Sequence, residues 1–304
     1  MTKKVLIIGG TGFIGYHVAK KCINLSWKII SLSLNPPRTL RKLKKVKYIN
    51  FDTSKKNNFK YLKKFKFDYI INLGGYVEHK NEKKIKNGHY KSIKNIFDHF
   101  KDKHIKSFIH IGSSTEYGKI KVPHKESNYC KPVGIYGKYK YKATQFLLKK
   151  FKNNNFPVTI IRFYQLYGPN QDTNRFIPIL IQSCLKKNLF FSSSGQQKRD
   201  FLFVDDAVKA IIKSIKSIKS KGKIINIGSG IPIKLKKIMK QVELETGYFD
   251  PVYNKIKLRK DEKKIIYPNI TNAKKIINWK PKISLKRGLR LTIKYYKKHN
   301  KVIN

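Results

Sequence analysis

The most constraining feature of the sequence is a glycine-rich segment that directly follows a short apolar run, Val5–Ile8. Its glycines, Gly9, Gly12 and Gly15, have the spacing G-x-x-G-x-x-G, and a helical pattern covers about residues 13–24. In a strand–turn–helix unit the first glycine permits the tight turn, the second admits a pyrophosphate, and the third lets the helix pack closely. The segment therefore predicts a phosphate-binding loop at a helix N-terminus.

Short apolar runs alternate along the chain with stretches in which lysine recurs at helical spacing, as between Lys209 and Lys219. Runs this short and this rich in Ile and Val are typical of buried parallel strands. The regular alternation predicts an α/β fold with a doubly wound parallel sheet. The strand signal weakens after about residue 165, where we expect a smaller C-terminal lobe over the open end of the sheet. The predicted strands are Val5–Ile8, Ile29–Leu32, Tyr69–Leu73, Ser107–Ile111, Val158–Phe163 and Ile224–Ile227.

Lysine and arginine number 69 against 17 acidic residues, which gives a formal net charge of +52. Such a charge suits nucleic-acid binding, and a non-catalytic nucleic-acid-binding protein is the alternative function. Because the lysines are spread over the whole chain rather than focused in a patch, we favour a compositional bias and expect no specific nucleic-acid partner. The positive field also attracts phosphorylated anions.

Export, membrane insertion and metal binding are not indicated by the sequence. The first apolar run is too short for a signal-peptide core, and no run of about 18 apolar residues occurs. We therefore expect a cytoplasmic protein with no membrane partner. Cys22, Cys130 and Cys184 are far apart and lack C-x-x-C spacing, so neither a disulfide framework nor a zinc site is predicted.

The end of the second predicted strand bears on which dinucleotide the loop holds. A carboxylate at this point holds the ribose 2′-hydroxyl of NAD, whereas a nearby arginine accommodates the 2′-phosphate of NADP. This chain has Ser33 there and Arg38 close behind, without a carboxylate. We expect NADP or NAD, with NADP slightly favoured.

Tyr136 lies four residues before Lys140 at the start of a helical segment, so both side chains share one face. An ammonium group beside a phenol favours the phenolate and lowers the phenol pKa from about 10. We therefore expect Tyr136 to act as a general acid/base near neutral pH.

Several further segments surround this pair in a defined order, and each follows a predicted strand or turn. In order and spacing they resemble the extended short-chain dehydrogenase/reductases, the NAD-dependent epimerase/dehydratase family, over essentially the whole chain. The resemblance implies a Rossmann-type domain at residues 1–165 and 201–227 and an interleaved substrate lobe at residues 166–200 and 228–304. We also expect a homodimer. The segments are Asn72–Gly75, Ser113–Gly118, Arg162–Pro169, Gly195–Asp206, Asn226–Gly230 and Asn278–Pro281.

The resemblance further implies a nucleoside-diphosphate sugar as substrate and a catalytic triad. Ser113 would hydrogen-bond the reacting sugar oxygen, Tyr136 would transfer its proton, and Lys140 would hold the nicotinamide ribose. Arg199 and Arg259 would meet the nucleotide phosphates. The expected cofactor contacts are Gly9, Gly12, Phe13, Ile14, Gly15, Ser33, Arg38, Asn72, Leu73, Gly74, Tyr136 and Lys140. The expected substrate contacts are Ser114, Thr115, Gln165, Arg199 and Arg259.

Departures from the family pattern narrow the reaction. The dehydratase branch carries an Asp-Glu pair directly after its catalytic residue, whereas this chain has Ser114 and Thr115, and Glu116 comes one place too late. Elimination of water needs an acid and a base at adjacent sugar carbons, so dehydration is disfavoured. Reduction of a 4-keto sugar and epimerisation at C4 through a transient ketone both stay open. His89 replaces a frequent family Asn beneath the active site.

Overall fold

A computed structural model describes residues 2–76, 81–257 and 262–299. Its strands are β1 (Lys4–Ile8), β2 (Lys28–Ser33), β3 (Val46–Asn50), β4 (Tyr69–Asn72), β5 (Ser107–Ser113), β6 (Val158–Phe163), β7 (Gln165–Tyr167), β8 (Phe190–Phe191), β9 (Lys198–Phe203), β10 (Ile224–Ile227), β11 (Pro232–Lys234), β12 (Pro251–Val252) and β13 (Ile265–Ile266). Its helices are α1 (Phe13–Asn24), α2 (Glu82–Lys86), α3 (Ser92–Phe100), α4 (Ile135–Asn154), α5 (Phe176–Lys186), α6 (Val204–Lys216), α7 (Leu235–Thr246), α8 (Thr271–Ile277) and α9 (Leu285–His299).

Seven strands form one sheet in the order β10-β6-β5-β4-β1-β2-β3, and every neighbouring pair is parallel. The chain winds outward from β1 to β3 on one side and from β4 to β10 on the other, so its direction reverses between β1 and β4. Open parallel sheets bind ligands at such a switch point, outside the carboxyl ends of the strands. The predicted Rossmann-type doubly wound α/β fold is confirmed.

Apolar cores lie on both faces of this sheet. One face packs against α1, α6 and α8 through residues such as Val18, Ile211 and Ala273. The opposite face packs against α3 and α4 through Ile96 and Leu147. Because the central strands are covered on both sides, their sequences are continuous apolar runs rather than alternating ones.

The six predicted strands are all present, with bounds that agree within two residues, and α1 spans the predicted 13–24. Strand β3 was not predicted. It lies at the edge of the sheet, where Lys47 and Asn50 are exposed and Val46 is its one fully buried residue. An edge strand of this kind shows no apolar run in the sequence.

A second, smaller sheet has the order β11-β9-β13, and β7 also pairs with β9. Helices α5, α7 and α9 share a third apolar core with this sheet, which includes Leu180, Val242 and Ile293. The chain leaves the first sheet after β6 and returns to it for α6 and β10. The predicted smaller, interleaved C-terminal lobe is therefore confirmed.

Cys22, Cys130 and Cys184 are buried and carry free thiols. Burial raises the pKa of the Cys22 thiol to about 12, which makes it inert at neutral pH. No helix among the described residues combines the length and the apolar composition that crossing a bilayer requires.

Candidate active site

The glycine loop turns sharply between β1 and α1. Gly9 has a φ of +80°, in the left-handed region that favours glycine. A Cβ atom at Gly15 would lie 2.3 Å from the carbonyl oxygen of Gly9, so only glycine permits this approach of α1 to the loop. Gly12 precedes α1 without a side-chain cap, and the first turn carries no acidic residue. The backbone N–H groups of that turn are therefore available to an anion.

The side of the loop at Gly12 is open, as close approach of a pyrophosphate to the backbone requires. A Cβ atom added at Gly12 would meet, among the described atoms, the Gly9 carbonyl oxygen alone, at 3.4 Å. On the other side the loop touches the end of β4, since a Cβ atom at Gly9 would lie 2.9 Å from the Gly74 nitrogen. Phe13 is buried and Ile14 half-buried in the first turn of α1. The two loops together form a cradle at the switch point of the sheet.

Buried hydrogen bonds order the loop after β4. The Asn72 side-chain oxygen accepts from the Gly74 N–H at 3.2 Å, and its amide nitrogen lies 3.1 Å from His110 Nδ1. Burial holds the pKa of His110 well below its usual value, so the ring is neutral and accepts this hydrogen bond. The Leu73 N–H donates to the Ile8 carbonyl at 2.9 Å. Asn72, Leu73 and Gly74 therefore lie beside the glycine loop.

Ser33 and Arg38 have different surroundings. The Ser33 hydroxyl accepts from the Thr11 N–H at 3.3 Å, which places Ser33 at the glycine loop. The side chain of Arg38 is 70% exposed and forms an ion pair with Asp172 at 3.1 Å. The buried Arg41 binds the same carboxylate at 2.9 Å. A 2′-phosphate would therefore compete with Asp172 for Arg38.

The three residues predicted as a triad come together at the carboxyl end of β5. Ser113 ends that strand, while Tyr136 and Lys140 lie one turn apart near the start of α4. The Ser113 side chain interacts with the Tyr136 phenol, and this interaction acts to lower the pKa of Tyr136. Lys140 is buried, and its Nζ donates to the Ile111 carbonyl at 2.7 Å. A reacting hydroxyl and a dinucleotide can therefore be contacted from one side-chain cluster.

The pKa of Tyr136 moves in the direction opposite to the one expected from the sequence. Burial raises this pKa to about 12, and the negative charge of Glu116 adds to the rise, whereas the hydrogen bond with Ser113 lowers it. Burial also lowers the pKa of Lys140 to about 8. The predicted lowering of the Tyr136 pKa is wrong for this structure, because loss of solvation outweighs the interactions with Ser113 and Arg175 that lower this pKa. Tyr136 is therefore a neutral phenol at neutral pH, ready to donate a proton.

A 3-10 turn, Ser114–Tyr117, follows the strand that carries Ser113. The Thr115 hydroxyl donates to Ser113 Oγ at 2.8 Å. Glu116 is fully buried, and its carboxylate accepts from the Ser113 N–H at 2.8 Å. Glu116 therefore faces the protein interior, and neither Ser114 nor Thr115 supplies a carboxylate.

Glu116 is the functional candidate that the sequence reasoning set aside. The signal for it is the spacing Ser113-x-x-Glu116, which is a capping-box pattern, and the turn has that arrangement. Its other partners, Thr144 and Arg162, are 28 and 46 residues away in the chain and could not be paired with it from spacing.

His89 lies on a single π-helical turn, Asn87–Lys91, between α2 and α3. Its ring packs edge-to-face on Tyr136, with centroids 5.1 Å apart. Its Nε2 lies 2.8 Å from the Tyr76 carbonyl oxygen. π-helical turns inside helices often occur at functional sites, and this one places an imidazole under the candidate acid/base.

Two of the predicted substrate contacts, Gln165 and Arg199, lie on the smaller sheet. Gln165 is exposed at the start of β7, opposite Phe201 of β9. Arg199 is buried on β9, where it forms an ion pair with Glu262 and donates to the Lys198 carbonyl at 2.8 Å. Arg259 lies outside the described residues. Contact of these residues with a nucleotide stays a prediction.

A cavity of about 540 Å³ lies between α1, α6 and α9, and one of about 230 Å³ adjoins it. Leu40, Asn170 and Tyr295 line both cavities, and none of the three triad residues lines either. These two cavities therefore do not mark the triad. The convergence of polar side chains at the carboxyl edge of the sheet is the stronger evidence.

Residues 5–228 match the profile of the NAD dependent epimerase/dehydratase family. A putative UDP-glucose 4-epimerase of Methanocaldococcus jannaschii is 26% identical over 317 residues, with 98% of this chain and 99% of the relative covered. A human dTDP-D-glucose 4,6-dehydratase is also 26% identical, over 320 residues, with 98% and 91% covered. Relatives of equal identity are thus named as a 4-epimerase and as a 4,6-dehydratase.

The fold is also similar to that of a UDP-glucose 4-epimerase from Thermotoga maritima, whose crystal structure contains UDP-glucose. The TM-score is 0.92 at 24% identity, with 98% of this chain and 99% of the other chain covered. This likeness establishes the fold: a parallel seven-stranded sheet with a smaller C-terminal sheet.

Proposed function

This chain belongs to the NAD dependent epimerase/dehydratase family, which acts on nucleotide sugars, and we propose that it transfers a hydride at C4 of a nucleoside-diphosphate sugar. The observation that carries this proposal is the meeting of Ser113, at the end of β5, with Tyr136 and Lys140, which lie one turn apart near the start of α4. Ser113 and Tyr136 can serve a reaction in which the proton and the hydride are both exchanged at a single sugar carbon and its oxygen. Its products are either a reduced 4-keto sugar or a C4 epimer.

In this proposal the bound NAD or NADP supplies or accepts the hydride. Ser113 and Tyr136 hydrogen-bond the C4 oxygen of the sugar, and Tyr136 moves its proton. Because its pKa lies near 12, the phenol holds that proton until negative charge develops on the C4 oxygen. This suits the reduction step that both candidate reactions share.

Loss of water is the reaction that the site supports least. A 4,6-dehydratase must protonate the C6 hydroxyl and remove a C5 proton, and positioned acids and bases normally do this within about 2.6–3.2 Å. Here Ser114 and Thr115 bear hydroxyls, which are poor acids and bases near pH 7. The one carboxylate of this turn, Glu116, is buried and bonded inward.

The cofactor, the oligomer and the location are part of the proposal. We favour NADP slightly, because Ser33 at the glycine loop leaves the ribose site without a carboxylate. The description of the family as NAD dependent favours NAD, so the two remain alternatives. A homodimer in the cytoplasm completes the proposal.

Product mass tests this function. The purified protein is incubated with NAD(P)H and a panel of nucleoside-diphosphate hexoses and 4-keto-6-deoxyhexoses. A gain of two hydrogens supports the ketoreductase, and an unchanged mass with an inverted centre supports the epimerase. Efficient loss of one water from a hexose, or no conversion across the panel, would contradict the proposal.

A further inference from the structure

Glu116 is a fully buried carboxylate that joins the elements carrying the proposed triad. One oxygen accepts from the Ser113 N–H at 2.8 Å. The other accepts from the Thr144 hydroxyl at 2.8 Å and from Arg162 Nε and Nη2 at 3.0 and 2.7 Å. These donors belong to the end of β5, to α4 and to β6. One side chain therefore ties together three elements of the fold.

The bond to α4 is made on the helix face that carries the triad. Thr144 lies four residues after Lys140 and eight after Tyr136, so the three side chains point to the same side of the helix. Thr144 and Lys140 are both buried. A shift of α4 relative to Ser113 would therefore break the bond between Thr144 and Glu116.

The bond to β6 is made by a buried guanidinium. Arg162 is fully buried, and its Cζ lies 4.4 Å from the centre of the Tyr117 ring. Charge-assisted pairs with two donors from one arginine are short and geometrically specific. Gly112 leaves room for this pair, since a Cβ atom there would lie 2.4 Å from Glu116 Oε1. Arg162 and Gly112 therefore both pack closely against the Glu116 carboxylate.

Glu116 also bears on the charge of Lys140. Burial lowers the pKa of Lys140 to about 8, and the negative charge of Glu116 raises it. Of the titratable groups that face Lys140, His110 on β5 is held neutral by burial, and Tyr136 on the same helix is a neutral phenol. His89 acts on His110 from the α2–α3 segment. Removal of the Glu116 charge should therefore lower the pKa of Lys140.

We infer that Glu116 is a positioning residue, which fixes Ser113 against the Tyr136–Lys140 face of α4 and balances the charge of the buried Lys140. It does not touch the substrate; it acts through the residues that do. The inference deepens the proposed function and rests on it for the role of the triad. The geometry of the carboxylate and its charge are separable by mutation.

Four variants distinguish the contribution of the hydrogen bonds of Glu116 from that of its charge. Glu116→Gln removes the charge and weakens the bonds, while Thr144→Val removes one bond and keeps the charge. Thr144→Ser restores the hydroxyl. Glu126→Gln is the matched control, because Glu126 is a partly buried carboxylate that binds the Asn226 N–H and the Asn272 amide instead.

Two measurements are made on each variant. The first is steady-state kinetics on the sugar that the wild-type protein converts. The second is the pKa of Lys140, read by NMR of protein labelled with ¹³C at lysine Cε and assigned with Lys140→Met. The second measurement does not need turnover. If the wild-type protein converts no nucleotide sugar, the proposed function fails while the pKa still tests the inference.

We expect Glu116→Gln to lower kcat about 100-fold with a small change in KM, because small misplacements of catalytic groups have effects of that size. The pKa of Lys140 should fall in this variant. Thr144→Val should lower kcat about tenfold and leave that pKa unchanged, and Thr144→Ser should recover the loss. Glu126→Gln should change neither quantity.

Three results would overturn the inference. They are a Glu116→Gln variant with wild-type kcat, one whose Lys140 pKa is unchanged, and a Thr144→Val variant indistinguishable in kcat from Thr144→Ser. The third still applies if Glu116→Gln fails to fold.

Discussion

Glu116 and Arg199 are both buried charges, and they differ in how far solvent reaches the ion-pair partner. Glu116 is fully buried and accepts four hydrogen bonds from three elements of the fold. Arg199 donates to the Lys198 carbonyl and pairs with Glu262, whose side chain is 26% exposed. Solvent does not reach the Glu116–Arg162 pair, whereas it reaches Glu262, so another anion could compete for Arg199.

This difference assigns catalysis to the residues near Glu116 and binding of the substrate to Arg199 in the proposed function. The groups proposed to move a proton are held by a buried polar cluster that does not depend on the substrate. The arginine proposed to bind nucleotide phosphates would have to release Glu262 before it binds them. Changes near Glu116 should therefore act mainly on kcat, and changes at Arg199 mainly on KM.

The largest expected effect is that of Tyr136→Phe, which keeps the ring and removes the proton carrier. General acid/base catalysis is typically worth about 10²–10⁴-fold. We expect kcat to fall by that factor, while cofactor affinity measured by calorimetry stays within about twofold. Near-normal turnover would show that the acid/base lies elsewhere.

The free energy of unfolding should distinguish the Glu116–Arg162 pair from the Arg199–Glu262 pair. Glu116→Gln leaves Arg162 buried without its charge partner, and such changes cost about 3–5 kcal/mol of unfolding free energy. Glu262→Gln affects a pair that solvent reaches, so we expect a cost of about 1–3 kcal/mol. Urea unfolding of both variants measures the difference. Equal costs would remove the contrast between the two regions.

Arg199→Met tests recognition. Loss of a charge-assisted hydrogen bond is worth about 1.5–3 kcal/mol, which corresponds to a rise in KM of about 10- to 150-fold with kcat nearly unchanged. Glu262→Gln should lower KM, because it frees the guanidinium. A parallel fall in kcat for Arg199→Met would place Arg199 in the chemistry instead.

The smallest expected effect concerns the cofactor. Calorimetry should show NADPH binding a few-fold tighter than NADH, since Ser33 offers no carboxylate and Arg38 can leave the exposed Asp172 pair. Arg38→Met should remove the preference and leave NADH binding as it was. Tighter binding of NADH by the wild-type protein would reverse this assignment.

The fold was largely predictable because its signals are local. The glycine loop and the apolar strands are each recognisable within a short continuous segment. Six strands and the bounds of α1 could therefore be predicted from the sequence. Strand β3 was missed because Lys47 and Asn50 are exposed at the sheet edge.

The meeting of Ser113, Tyr136 and Lys140 at the end of β5 was predictable from the sequence, whereas their pKa values were not. The spacing of Tyr136 and Lys140 placed them on one helix face, but the direction of the Tyr136 pKa depends on burial, which spacing does not reveal. The role of Glu116 depends on Thr144 and Arg162, which only the folded chain brings to it. Long-range buried pairs of this kind have no local signature beyond the Ser113-x-x-Glu116 spacing.

The most direct test of the central claim follows the hydrogen at C4. The protein is incubated with NAD(P)⁺ and nucleoside-diphosphate hexoses that carry deuterium at C4, and the label is located by NMR and mass spectrometry. The account predicts that the deuterium stays at C4 of an inverted product or appears on the nicotinamide ring as a 4-keto sugar forms. Loss of the deuterium to solvent would contradict hydride transfer at C4. Formation of a dehydrated product would contradict the claim that the reaction ends without loss of water.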